Sequence, residues 1–143
     1  MAIHVSGEFD VKVTPQKPDN KEAEAAGLGR MSIDKQFHGA LAATSKGEML
    51  SYMTEVKGSG VYVAIERVTG TLDGRGCTFV LHHRGVMSRG EPHLSVTVTP
   101  DSGNGDLAGL SGEMQIKIEN GKHFYEFDYT LPKKARSFIA QGH

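Results

Sequence analysis

Apolar and polar residues alternate with a period of two along most of this chain, in short runs rich in Val, Ile, Thr, Tyr and Phe. Successive side chains of a strand point to opposite faces, so this rhythm is that of strands with one face buried. Eighteen glycines punctuate the runs and mark the turns between them. Strands are predicted near 3–13, 28–37, 38–45, 48–56, 60–72, 75–85, 93–99, 106–119 and 122–131, some of them as halves of longer, bent strands. Only "PDNKEAEAAG" at 18–27 looks helical, and it is short, polar and closed by glycine, an excursion between strands.

Two hairpins carry enough turn chemistry to set a register. Asn120 and Gly121 suit the two positive-φ positions of a type I′ turn. Pairing Glu119 with Lys122 sets Ile118 opposite His123, Ile116 opposite Tyr125, Met114 opposite Phe127, Gly112 opposite Tyr129 and Leu110 opposite Leu131, an almost wholly apolar face. The reverse face carries Lys117, Gln115 and Glu113 across from Phe124, Glu126 and Asp128, and a slip of one residue would spoil both. The second hairpin turns at Asp73 and Gly74 and sets Val68 opposite Phe79, Glu66 opposite Leu81 and Ala64 opposite His83. Its face with Phe79, Leu81, Cys77 and Tyr62 is taken as the interior. The outer stripe of Val61, Val63 and Ile65 then needs cover, which predicts a subunit contact.

So many antiparallel strands with so few helices must stack as two sheets or close on themselves, and closure removes exposed edges. The predicted fold is all-β: a single-domain closed antiparallel β-barrel of about eight strands, with a bore that side chains can fill or that can hold one small ligand.

Composition narrows the partners. The chain has 143 residues, of which 38% are hydrophobic, enough for one domain with one core. Sixteen Lys and Arg are scattered among seventeen Asp and Glu, which leaves no basic face for nucleic acid. The longest apolar run, "VYVAI" at 61–65, is far short of the roughly 20 residues of a membrane-spanning helix. "MAIHVSGEFD" has neither a basic leader nor a signal-like apolar stretch, and the expected location is the cytoplasm. Cys77 has no cysteine to pair with and reads as a small core residue. The tail "PKKARSFIAQGH" is compatible with docking on the barrel, docking on a partner, or fraying.

The succession "GVYVAIERVTGTLDGRGCTFVLHHRG", "LSVTVTPDSGNGDLAGLSGEM" and "HFYEFDYTL" resembles a bacterial family of small proteins designated a domain of unknown function (DUF), whose members adopt an allene oxide cyclase-like barrel. The resemblance runs from about residue 3 to residue 131, and "SGNGDLAGLSG" is its most specific mark. Family members usually have Thr where this chain has Asn104, often Gln where it has His82, and often "GDL" where it has Gly39, Ala40 and Leu41, so an acid is missing there. The resemblance implies an eight-stranded closed barrel that oligomerises. It implies no activity, and the chemistry of the plant cyclase does not transfer with the architecture.

The glycine-rich segment invites a ligand reading that its details refuse. It lacks the Lys-Ser/Thr of a phosphate loop and the helix of a dinucleotide fingerprint. "GNGD" resembles one copy of a calcium-binding repeat whose sites need stacked copies. A turn is expected instead, with Asp101 or Asp106 accepting backbone hydrogens. No metal site is predicted: His82 and His83 point to opposite faces, and His83 meets at most His93, through the loop 85–91. No cofactor is expected.

The candidate site is Glu66 with His83, diagonal neighbours on the interior face and able to form an ion pair in apolar surroundings. Tyr62, Phe79, Tyr125 and Tyr129 complete the candidate ligand-binding set. Three functions fit: a barrel binding a small, largely apolar molecule in its lumen; an isomerase or cyclase using the Glu/His pair; and a non-catalytic homo-oligomer with a filled bore. A cavity of a few hundred Å³ favours the first two.

Overall fold

The computed structural model, which describes residues 2–132, has eight strands: β1 (Ile3–Gln16), β2 (Gly29–Phe37), β3 (Leu41–Met53), β4 (Gly60–Leu72), β5 (Arg75–Ser88), β6 (Glu91–Val98), β7 (Ser111–Glu119) and β8 (Lys122–Thr130). Each pairs antiparallel with the next, and β8 returns to β1, closing the barrel. The tail from residue 133 and the Cys77 side chain lie outside the described part, and with them the expectations placed on them.

Both predicted hairpins have the expected register. Asn120 and Gly121 adopt φ of 51° and 79°, and Glu119 faces Lys122. Asp73 and Gly74 adopt 51° and 82°, and Glu66 faces Leu81 while Ala64 faces His83. A third hairpin of the same kind turns at Arg89 and Gly90, with φ of 49° and 90°. It carries β5 and β6 through the expected loop 85–91, so His83 lies opposite Val96 and His93 opposite Val86. The loop does not pair His83 with His93; an arginine leading a type I′ turn gave no turn signal.

Two further boundaries differ from expectation. The runs 38–45 and 48–56 join into one continuous strand, β3, which spans only Leu41–Met53, and the apparent break at Gly47 is a position on its inner face directly across from Glu66. A Cβ on Gly47 would stand 2.7 Å from the Glu66 Cα and 2.8 Å from its Cβ, so glycine serves close approach here, not a turn. At 18–27 only Lys21–Ala25 is helical, capped by the Asn20 side chain, which accepts from the Glu22 N–H at 2.8 Å and the Ala23 N–H at 3.1 Å.

The barrel has two unlike ends. At the base, where the turns 38–40 and 73–74 lie, Phe37, Leu41, Leu72, Phe79, Phe127 and Tyr129 fill the bore. The Phe79 and Phe127 rings stack at 6.1 Å. The base is also where "PDSGNGDLAGLSG" lies, and 106–110 is not strand as expected: Gly105–Leu107 is a 3₁₀ turn, and β7 starts at Ser111. The expected pairing of Leu110 with Leu131 is not formed, because Leu107 and Leu110 are buried as a plug instead. Each such side chain contributes about 1.5–3 kcal/mol on burial.

The backbone acceptors in this segment are not the expected aspartates. Past Leu81, where β6 no longer covers β5, the Asn104 Oδ1 accepts from the Thr78 N–H at 2.9 Å and the Ser102 Oγ from the Val80 N–H at 3.0 Å. The loop thus finishes a sheet edge with side chains in place of a strand.

The opposite end, the mouth, is open. β6 and β7 share only the pairs Val96–Met114 and Thr97–Glu113 and diverge beyond them, leaving Leu94 and Ile118 exposed. On the outer wall, Leu50, Val61, Val63 and Ile65 are exposed at 41–64%. The predicted apolar stripe is on the surface. No helix among the described residues is long and apolar enough to cross a membrane.

Candidate functional site

Between the plugged base and the open mouth lies a layer of buried polar groups. Glu66 on β4 has no solvent exposure, and its carboxylate is served by three side chains from three other strands. Lys35 Nζ (β2) donates to Oε2 at 2.9 Å, Ser45 Oγ (β3) donates to Oε1 at 2.6 Å, and His83 Nε2 (β5) bonds Oε2. Register explains the convergence. Lys35 lies directly across from Ser45, Gly47 directly across from Glu66, and His83 one diagonal step away, all on the inner face.

Burial alone would push the Glu66 carboxyl up. The His83 hydrogen bond, the Lys35 charge and the hydrogen bonds from Lys35 and Ser45 together overcome it and bring the group down to about 2. An ionised carboxylate only accepts, so His83 donates through Nε2, and its Nδ1 has no hydrogen-bond partner among the described residues. Lys35 is 8% exposed, with its ammonium 5.0 Å from the Phe9 ring centroid and 5.7 Å from that of Phe37. The cluster is thus a compensated Lys–Glu pair oriented on a histidine and boxed by aromatic rings.

Of the sequence candidates, Glu66, His83 and Tyr62 come together. The Tyr62 ring is half-buried, 6.3 Å from the His83 ring, and it lies over Gly85, where a Cβ would overlap it. Burial first and the Glu66 charge second hold its phenol above the usual tyrosine range. Phe79, Tyr125 and Tyr129 lie toward the base. Tyr125 Oη donates to the His38 carbonyl at 2.7 Å and accepts from the Leu41 N–H at 3.1 Å, clasping β8 to the 38–40 turn. Tyr129 Oη donates to Asp73, and burial together with that bond pushes its phenol up to about 12. Gly112 lies opposite Tyr129 as expected, but the close neighbours of a Cβ there are the Asp128 carbonyl and the Tyr129 Cα and Cβ, not its ring.

Sequence reasoning missed Lys35 and Ser45. The signal was present: period two puts Lys35 on the face of Ile33 and Phe37, and Ser45 on the face of Leu41 and Ala43.

Above the polar layer, a cavity of about 320 Å³ opens at the mouth over the inner faces of β3–β6. Met49, Met53, Met87, Leu94, Tyr62 and Ser51 form much of its wall. Tyr62 belongs to both the wall and the polar layer; Glu66, Lys35 and His83 lie behind it and do not line the cavity. The histidines are otherwise dispersed: His82 bonds Thr99 on the outer face, His38 pairs with Asp10 and His4 with Asp128. Among the described residues no three His, Cys, Asp or Glu side chains come within reach of one ion.

Fold and site together define a closed eight-stranded barrel with a buried Lys–Glu–His cluster beneath an apolar mouth cavity. Residues 5–129 match the family described as Protein of unknown function (DUF3224), and the chain belongs to that family. It is similar to the crystal structure of a DUF3224-family protein of unknown function from Shewanella oneidensis MR-1. The two are 51% identical over 92% of this chain and 99% of that one, with a TM-score of 0.85. No curated protein matches the chain.

Proposed function

We propose that this barrel, allene oxide cyclase-like and lipocalin-like in architecture, binds a small, largely apolar molecule at its mouth, in the cytoplasm. The observation that carries this reading is the cavity of about 320 Å³ walled by methionines and leucine, at the lower end of the size range of ligand sites. A bore filled throughout would have favoured the purely structural alternative. Methionine walls adapt to irregular apolar shapes, and the polar layer below gives the cavity a stiff floor.

Proton transfer by the Glu66–His83 pair is the second reading. It rests on the unpartnered Nδ1 of a histidine whose other nitrogen is fixed on a carboxylate. Binding ranks first because Tyr62 stands between the pair and the cavity. We also propose a homo-oligomer, supported by the exposed outer stripe of Leu50, Val61, Val63 and Ile65.

Native mass spectrometry of protein purified without added ligand, followed by denaturation and analysis of what is released, tests binding directly. N-phenyl-1-naphthylamine, a neutral apolar fluorophore, provides a second readout. The expected result is a released small molecule or saturable fluorophore binding that is lost in Ser51→Trp, whose indole fills the mouth. An empty protein that also fails to bind the fluorophore would sink the proposal.

A further inference from the structure

The mouth cavity and the polar layer beneath it differ sharply in charge. Among the described residues no Lys, Arg, Asp or Glu lines the cavity. His93 is on the rim, with two thirds of its side chain exposed and Glu91 3.9 Å away. Lys35, the cation buried beneath, does not reach the wall and is already committed to Glu66 at 2.9 Å. What the wall does offer is neutral: the Tyr62 and Ser51 hydroxyls, neither of which has a hydrogen-bond partner among the described residues. The Tyr62 phenol is also held in its neutral form at ordinary pH by burial and by the negative charge of Glu66.

From this arrangement we propose that the ligand is an uncharged apolar molecule carrying one hydrogen-bonding oxygen, an alcohol or ester, held by the Tyr62 hydroxyl with help from Ser51, and that the cavity excludes the corresponding carboxylate. The inference rests on the binding reading above and goes beyond it by fixing the charge of the ligand. A carboxylate brought to Tyr62 would lose water without gaining a countercharge, and the charge of the layer that acts on Tyr62 is the like charge of Glu66. A hydroxyl at the same place gives the phenol a ligand partner in place of water. The aliphatic body meets the methionines and Leu94.

Competition against N-phenyl-1-naphthylamine at pH 7.5 by octan-1-ol, methyl octanoate and octanoate tests this with chains of one length. The alcohol and the ester are expected to displace the fluorophore at least about tenfold better than octanoate, since an unpaired buried charge costs more than one decade of affinity. Tyr62→Phe is expected to weaken octan-1-ol roughly fivefold more than it weakens the fluorophore, the value of one neutral hydrogen bond. Ser51→Ala gives an independent, smaller reading of the same preference. Equal displacement by octanoate, tighter binding of octanoate, or no displacement by any of the three while the fluorophore binds would each overturn the inference and leave the binding reading standing. Failure of the fluorophore itself to bind would remove both.

Discussion

Replacing Glu66 by Gln at the buried layer should cost far more than a lost hydrogen bond. The amide keeps the shape of the carboxylate and can still meet Ser45 and His83, but it leaves the Lys35 ammonium, 8% exposed, without a countercharge. Breaking a buried pair in this way costs about 3–5 kcal/mol, roughly a fifth or more of the stability of an ordinary domain. With a urea dependence near 2 kcal/mol per molar, the unfolding midpoint should fall by about 2 M. Lys35→Met should sit at the lower end of that range, because Ser45 and His83 still serve the carboxylate. The double substitution Lys35→Met/Glu66→Gln removes both charges and lets a thioether take the place of the ammonium between Phe9 and Phe37. It should recover to within about 2 kcal/mol of the parent, giving a coupling energy of roughly 3 kcal/mol or more. Equilibrium urea unfolding of the four proteins at pH 7, followed by far-ultraviolet circular dichroism, measures the cycle. A Glu66→Gln variant within about 1 kcal/mol of the parent, or a double variant whose loss equals the sum of the singles, would refute the idea that Lys35 and Glu66 act as one buried unit.

Other consequences follow from the same geometry. Because folding lowers the Glu66 carboxyl from 4.5 to about 2, its stabilisation is complete above pH 4.5 and is lost as pH falls toward 2; about 3 kcal/mol should disappear over that window, and the double variant should lack that component in urea titrations at stepped pH. Tyr129 is pushed the other way, to about 12, so its contribution is complete below the ordinary tyrosine range and fades only as pH rises toward 12; spectrophotometric titration of Tyr129→Phe should lack the last tyrosinate step. Asn104→Ala should leave the Thr78 N–H without its acceptor and cost about 1–2 kcal/mol, with faster amide exchange at Thr78 as the local signature. If a second copy covers the outer wall, Val63→Glu with Ile65→Glu should yield a smaller particle by sedimentation, and an unchanged mass would exclude that face.

How much of this was legible in the sequence depends on the range over which each feature is decided. Hairpins are local, and turn residues with obligatory positive φ gave two registers residue by residue, including Glu66 and His83 on one inner face. The Arg89–Gly90 turn was hidden because only its glycine carries turn chemistry. Lys35 was hidden for a different reason. A charged residue in a strand is ordinarily assigned to solvent, and only the fixed parity of β2, with Ile33 and Phe37 buried on either side, sends it inward. Its partner is 31 residues away, so the ion pair that makes its burial tolerable becomes visible only when β2, β3 and β4 are in register.

"PDSGNGDLAGLSG" shows how composition can mislead about purpose. Its glycines and aspartates resemble those of ligand loops, yet its named contacts are internal: Asn104 and Ser102 finish the edge of β5, while Leu107 and Leu110 seal the base. Positive φ at Asp101, Gly105 and Gly109 lets residues 100–110 do this without a strand. That assignment bears on where a ligand enters. A base closed by this plug and by stacked Phe79 and Phe127 leaves the opposite end as the way in, where β6 and β7 diverge and Tyr62 stands between the apolar cavity and the buried charges. The segment that looks most like a binding loop therefore serves binding indirectly, by making the barrel one-ended.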